Sequence, residues 1–98
     1  MFARVSRYRG DADRLREGFE AVSPELEQVE GFSKAFFLAD RDGSRAMSIT
    51  LWESAEALES SAERAQGLRT RAAEPSDSTI ESVESYEVVL TAEPAART

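Results

Sequence analysis

The sequence predicts an α+β domain of the ferredoxin-like class, a four-stranded antiparallel sheet with two helices on one face. Three observations carry this expectation. Apolar residues alternate in four stretches and recur at helical spacing in two, in the order β-α-β-β-α-β. One tight-turn signal, Asp40-Arg41-Asp42-Gly43, joins the middle two strands. Both faces of those strands carry apolar groups, more than two helices can cover, so a second copy of the chain is expected on the free face.

Phe2-Ala3-Arg4-Val5-Ser6-Arg7-Tyr8 alternates and reads as the first strand. Gly10 breaks it and Asp11 is placed to cap a helix over Asp11–Val29. In that helix Leu15, Phe19, Val22, Leu26 and Val29 form one face. Ser23-Pro24 predicts a kink or restart, and Gly31 the end. Phe32–Ala39 and Ser44–Trp52 are expected to pair through a three-residue loop with Gly43 in a bulge, which sets Phe36 opposite Ser48. One face then holds Phe32, Phe36, Leu38, Ala46, Thr50 and Trp52, and the other Ala35, Phe37, Met47, Ile49 and Leu51. A loop one residue longer would re-pair these sets. Ser54 caps a second helix to Ala73, with an inner stripe of Ala55, Leu58, Ala62, Ala65, Leu68 and Ala72. Pro75 stops it, and Thr79–Leu90 is the last strand. Residues 1–91 thus form one domain and residues 92–98, with Pro94, a flexible tail.

Composition narrows the function. The 98 residues contain no cysteine and no histidine, which removes thiolate chemistry, the usual acid/base group near neutral pH and the commonest metal and heme ligand. A net charge of −7 argues against a nucleic-acid surface. No apolar run approaches the ~20 residues of a membrane span, and no signal segment precedes the first strand, so a cytoplasmic location is the expectation.

The stretch Ala46-Met47-Ser48-Ile49-Thr50-Leu51-Trp52-Glu53-Ser54, followed by Glu56-Ala57-Leu58, resembles the antibiotic biosynthesis monooxygenase family, in which a strand ending in Trp-x-Ser leads into the second helix. Gly31-Phe32 and Ser85-Tyr86-Glu87-Val88 fit the same pattern. The resemblance implies a dimeric α/β barrel, with two sheets face to face and a pocket between helices and sheet in each subunit. It also implies a cofactor-independent monooxygenase-like protein acting on a small aromatic or polyketide-like substrate, needing no cofactor and no metal. The alternative is a non-catalytic dimer that binds a small apolar ligand or serves as a scaffold. Heme-degrading members carry an Asn on the first strand and a Trp and a His on the second helix. Ser6, Ser61 and Arg71 stand at those positions, and the chain has neither Asn nor His, so no heme site is expected.

The candidate ligand pocket is Trp52, Tyr86, Ser6 and Ser61. Trp52 either stacks on a flat ligand or anchors the second helix as a core residue. Tyr86 and Tyr8 either donate to a substrate oxyanion or lie at a dimer seam. Ser6 and Ser61 lack a histidine base, so neither is a Ser-His nucleophile. Arg4, Arg7 and Arg45 lie on strands and either bind an anion or pair with carboxylates across strands.

Overall fold

The computed structural model describes residues 1–95; the last three residues of the expected tail lie outside them. The expected order of elements is present: β1 (Phe2–Arg9), α1 (Ala12–Leu26), β2 (Phe32–Ala39), β3 (Arg45–Trp52), α2 (Ala55–Ser60), α3 (Ala62–Ala73) and β4 (Thr79–Glu87). The four strands form one antiparallel sheet in the order β2-β3-β1-β4, with the helices on one face. This is the ferredoxin-like arrangement.

Asp11 caps α1, its carboxylate accepting from the Asp13 and Arg14 amides at 3.0 and 3.3 Å. Of the kink or restart expected at Ser23-Pro24, the restart does not occur, and α1 runs through Pro24 to Leu26, short of the expected Val29. Pro24 sits in the last turn, where its missing N–H deprives only one carbonyl, that of exposed Glu20. The Ser23 hydroxyl donates to the Phe19 carbonyl at 2.6 Å. Gly31 then takes a left-handed φ of 82°, and a side chain there would also strike Ala57.

The hairpin loop is one residue longer than expected. The Asp40 amide donates to the Arg45 carbonyl at 3.0 Å, so four residues, Arg41 to Ser44, make the turn. Asp40 Oδ1 holds it by accepting from the Gly43, Ser44 and Arg45 amides. The register shifts by one, placing Phe37 opposite Ser48 and Phe36 opposite Ile49. Phe37 therefore joins the helix face beside Phe19, at 4.6 Å between ring centroids, while Phe36 and Leu38 move to the free face.

The second helical stretch is two helices, broken at Ser61. Leu58, Ala65, Leu68 and Ala72 are buried as expected, whereas Ala55 and Ala62, at the starts of the two pieces, are exposed. β4 ends at Glu87 rather than Leu90, and the Val88 amide makes a last bond to the Met1 carbonyl at 2.9 Å. Two clusters fill the space between sheet and helices. One is built on Trp52 with Val22, Leu26, Leu58, Leu68 and Ala72. The other is built on Tyr8 with Ala12, Leu15, Ala46 and Ala73.

Candidate functional site

Between these clusters the sheet presents polar side chains to the helices. Alternation along β1 sends Phe2, Arg4, Ser6 and Tyr8 to the helix face, and pairing sets them beside Trp52, Thr50, Ser48 and Ala46. Arg4, Ser6, Tyr8 and Ser48 are all buried. A cavity lies above them, with Ser6, Ser48 and Thr50 as its floor and Phe19, Val22, Leu26, Ala65 and Leu68 as its roof and walls. Arg69, half-buried on α3, also lines it. About 30 Å³ is open to the centre of a water molecule, room for about two waters.

The hydroxyls of the floor are organised. Tyr8 and Ser48 share a hydrogen bond of 3.0 Å between hydroxyls, and the Trp52 indole N–H donates to Thr50 Oγ1 at 2.9 Å. Burial pushes the Tyr8 phenol up from its ordinary value, against the bonds from Ser48 and Ser6 and the Arg69 charge, so Tyr8 remains a protonated donor.

Arg4 is the most buried charge, 5 % exposed. Its guanidinium donates to the Leu58 carbonyl and to Ser61 Oγ, the latter at 3.4 Å, and lies 5.4 Å from the centre of the Trp52 ring. Burial, and then the Arg69 charge, lower its pKa from the ordinary arginine value, and burial lowers that of Arg69.

The four expected pocket residues are therefore not all together. Ser6 lines the cavity. Ser61 and Trp52 are buried and meet Arg4 instead of the cavity, the indole having no exposure at all. Trp52 is an anchor sealed by Leu and Phe side chains, not a ligand wall. Tyr86 sits opposite Ala3 on the other face of the sheet, half exposed, and donates to Glu84 at 2.7 Å. The strand arginines divide as well. Arg7 and Arg45 pair with Glu84 and Asp40 at 3.4 and 3.1 Å, and Arg4 pairs with no carboxylate among the described residues. Ser48, Thr50 and Arg69 were absent from the sequence-based pocket. For Ser48 and Thr50 the signal was the even-numbered alternation of β3, which carries polar residues where a helix-covered face needs apolar ones, whereas Arg69, on α3, had no such signal.

No family model matches the chain. Among solved structures it is similar to a Deinococcus radiodurans protein named as a candidate antibiotic biosynthesis monooxygenase, with a TM-score of 0.74, 13 % identity and 98 % of this chain and 100 % of the other covered. SnoaB of Streptomyces nogalater, a cofactor-independent oxygenase, superposes with a TM-score of 0.74 at 19 % identity over 92 % of this chain and 94 % of its own. The heme-degrader MhuD of Mycobacterium tuberculosis, with two hemes bound in its active site, gives 0.73 at 23 % identity over 95 % and 100 %. The fold is that of the antibiotic biosynthesis monooxygenases. The resemblance read from Trp52-Glu53-Ser54 is met at the level of architecture.

Two curated relatives, the uncharacterized proteins Rv2558 and MT2635 of two Mycobacterium tuberculosis strains, are 35 % identical over 54 residues, which is 55 % of this chain. The matched segment spans 23 % of their length. Among the described residues no helix is long and apolar enough to cross a membrane, and no group of three or more Asp or Glu side chains is placed to hold a metal ion.

Proposed function

We propose that this chain is a cofactor-independent oxygenase that acts, as a homodimer, on a small aromatic or polyketide-like substrate in the cleft between sheet and helices. The observation that carries the reading is the polar floor of that cleft. A purely structural helix-sheet interface is apolar, because buried hydroxyls add cost unless bonded and buried charges cost more. Here Ser6, Ser48, Thr50, Tyr8 and Arg4 occupy the centre of the sheet, under an apolar roof that suits ring systems.

The chemistry asks little of the protein. An electron-rich substrate that has lost a proton passes an electron to O₂, and the substrate radical and superoxide combine to a C–O bond. The peroxide anion so formed takes up a proton, and the hydroperoxide loses water, with the hydrogen on its carbon, to leave a carbonyl. No carboxylate among the described residues lines the cleft. The protein's part is therefore to favour the ionised substrate with its hydroxyls and positive charge, and to keep water away.

The free sheet face supports the dimer. Phe36 and Leu38 are 48 % and 46 % exposed there, beside Val5, Met47, Ile49 and Leu51. Such a patch suits an isologous contact of roughly 1,500–2,500 Å².

The residues do not fit heme. The usual nitrogen ligand is absent, and Arg71, at the position counted for it, is bound to Glu25 at 2.6 Å. Hemin titration is expected to give no saturable one-to-one Soret shift.

The test of the oxygenase is O₂ consumption with anthrone-type substrates, read together with the absorbance of the quinone formed. Turnover above buffer, with one O₂ consumed per quinone, supports the reading. Binding of the same compounds without turnover sinks it in favour of a small-ligand binder. That second reading is favoured by the narrowness of the cavity, since Phe19, Leu68 and Arg69 must rotate to admit a ring system.

A further inference from the structure

The chain has 19 acidic and 12 basic residues, so an arginine here has carboxylates in excess to choose from. Five exposed arginines take them, and exposed Arg14, Arg41 and Arg64, which pair with no described carboxylate, keep their charge in water. Arg7, Arg9, Arg16, Arg45 and Arg71 pair with Glu84, Glu81, Glu20, Asp40 and Glu25 at 2.6 to 3.4 Å. The two arginines on the inner side of the sheet do the opposite. Among the described residues neither Arg4 nor Arg69 has a carboxylate within 4.0 Å, although Arg4 is nearly fully buried and Arg69 half-buried. Arg4 is held only by neutral groups, the Leu58 carbonyl, Ser61 Oγ and the Trp52 ring. Arg69 makes no side-chain hydrogen bond to a described residue, and it lines the cavity. Two like charges share one low-dielectric space, an arrangement that costs stability because each is desolvated without a counter-charge. The ties from Arg4 to Leu58 and Ser61 serve the fold but neutralise neither charge, whereas a ligand that brings the missing negative charge does.

Resting on the oxygenase or ligand-binding cleft described above, we infer that Arg69 and Arg4 form an anion-selective subsite, so that the ligand of this cleft is a planar aromatic or polyketide-like molecule bearing an oxyanion. Arg69 contacts the oxyanion directly, from the rim, with the Ser6 and Ser48 hydroxyls on the floor beside it. Arg4 is a positioning residue. It is fixed beneath by Ser61 and Trp52, cannot swing toward solvent, and supplies a permanent positive charge. The ligand's rings lie against Phe19, Val22 and Leu68. The subsite also explains why Trp52 and Ser61 surround a cation rather than a cavity: they hold the charge in place.

Matched probes test this: 1-naphthoate against its methyl ester, and anthracene-2-carboxylate against its carboxamide. Binding is followed by quenching of Trp52, the only tryptophan, and checked by calorimetry. Each acid is expected to bind at least about tenfold more tightly than its neutral partner, which corresponds to about 1.4 kcal/mol, and the preference should shrink as salt is raised. Arg69→Gln, at a half-buried position, should abolish the preference while leaving the ester's affinity in place. Arg4→Gln should reduce it without abolishing it. Acid and ester binding equally, neither binding, or an undiminished preference in Arg69→Gln would each overturn the subsite. Its fate is separable from that of the oxygenase. Acid preference without O₂ uptake keeps the subsite and removes the enzyme, and O₂ uptake with no preference for acids does the reverse.

Discussion

The two faces of the sheet invert the usual distribution of residues. The face covered by helices carries Arg4, Ser6, Tyr8, Ser48 and Thr50 at its centre, and the uncovered face carries Val5, Phe36, Leu38, Met47, Ile49 and Leu51. Hydrophobic burial alone would arrange them the other way round. On the covered face the polar centre sits between two dry clusters, around Trp52 and around Tyr8 and Leu15, which provide the cohesion. On the uncovered face the apolar centre has no covering element among the described residues. Each face thus departs from economy of folding in its own way, one as the proposed ligand and the other as the proposed second copy would require.

If the covered face owes its stability to its ends, removing one should cost most. Trp52→Ala is expected to lower unfolding free energy by about 3–5 kcal/mol, measured by urea denaturation, because the indole has no exposure and its N–H is bonded to Thr50. A loss below about 1 kcal/mol would mean that the Trp52 cluster is not what closes this face.

The uncovered face breaks differently. Phe36→Glu with Leu38→Glu should leave secondary structure intact but halve the mass seen by light scattering to that of the 10.8 kDa chain. Central apolar anchors of an interface are worth about 2 kcal/mol or more each. A wild-type protein that already runs as a monomer at micromolar concentration would remove the partner from the comparison.

A third change tests how tightly the helices are set over the polar centre. Gly18 on α1 faces the backbone of α3, and a methyl group there would collide with the Ala72 carbonyl. In an exposed helix Gly→Ala gains about 1 kcal/mol. Here Gly18→Ala is expected to destabilise by about 1–3 kcal/mol, and to alter ligand binding by pushing α3, with Arg69, away from α1. A thermal melt showing higher stability would indicate that α1 and α3 adjust freely.

The architecture was legible because period-2 and period-3.6 patterns survive in the sequence regardless of what the strands pack against. Asp11 and Ser54 marked helix starts through local chemistry that tertiary contacts did not override, whereas α1 ends at Leu26, five residues before the Gly31 expected to stop it. Which face each β2 residue takes was not legible. It depends on one residue of loop length, and that was decided by Asp40 gathering three amides rather than by Gly43 alone. The break at Ser61 was hidden because the alanine-rich stripe reads as continuous helix, while its cause, the tie from Ser61 and Leu58 to Arg4, spans more than fifty residues of sequence. The site was half visible for a related reason. Ser6 stands out from the alternation of β1, but whether an arginine in an acidic chain finds a carboxylate is a fact of three dimensions.

The smallest effect concerns Tyr86, which the sequence placed with the pocket and the structure places on the uncovered face. Its hydroxyl donates to Glu84, and that bond, against a small opposing effect of desolvation and with help from Arg7, holds the Glu84 carboxyl below the usual carboxylate range. The same bond, with the neighbouring negative charge, raises the Tyr86 phenol. A depressed folded-state pKa contributes stability that is fully present above the unfolded value, about 4.3 for Glu, and is lost as pH falls through the lower folded value. Glu84 is exposed, so the contribution is slight and screened by salt. Tyr86→Phe should therefore raise the Glu84 pKa toward its ordinary value in a carboxyl-carbon NMR titration, while stability stays flat from about pH 6 to 8. If the Glu84 titration does not move, Arg7 alone holds the carboxylate. Tyr86 would then be free to serve the contact between copies, its ring against the partner and its hydroxyl at the rim, as tyrosines at interfaces commonly are.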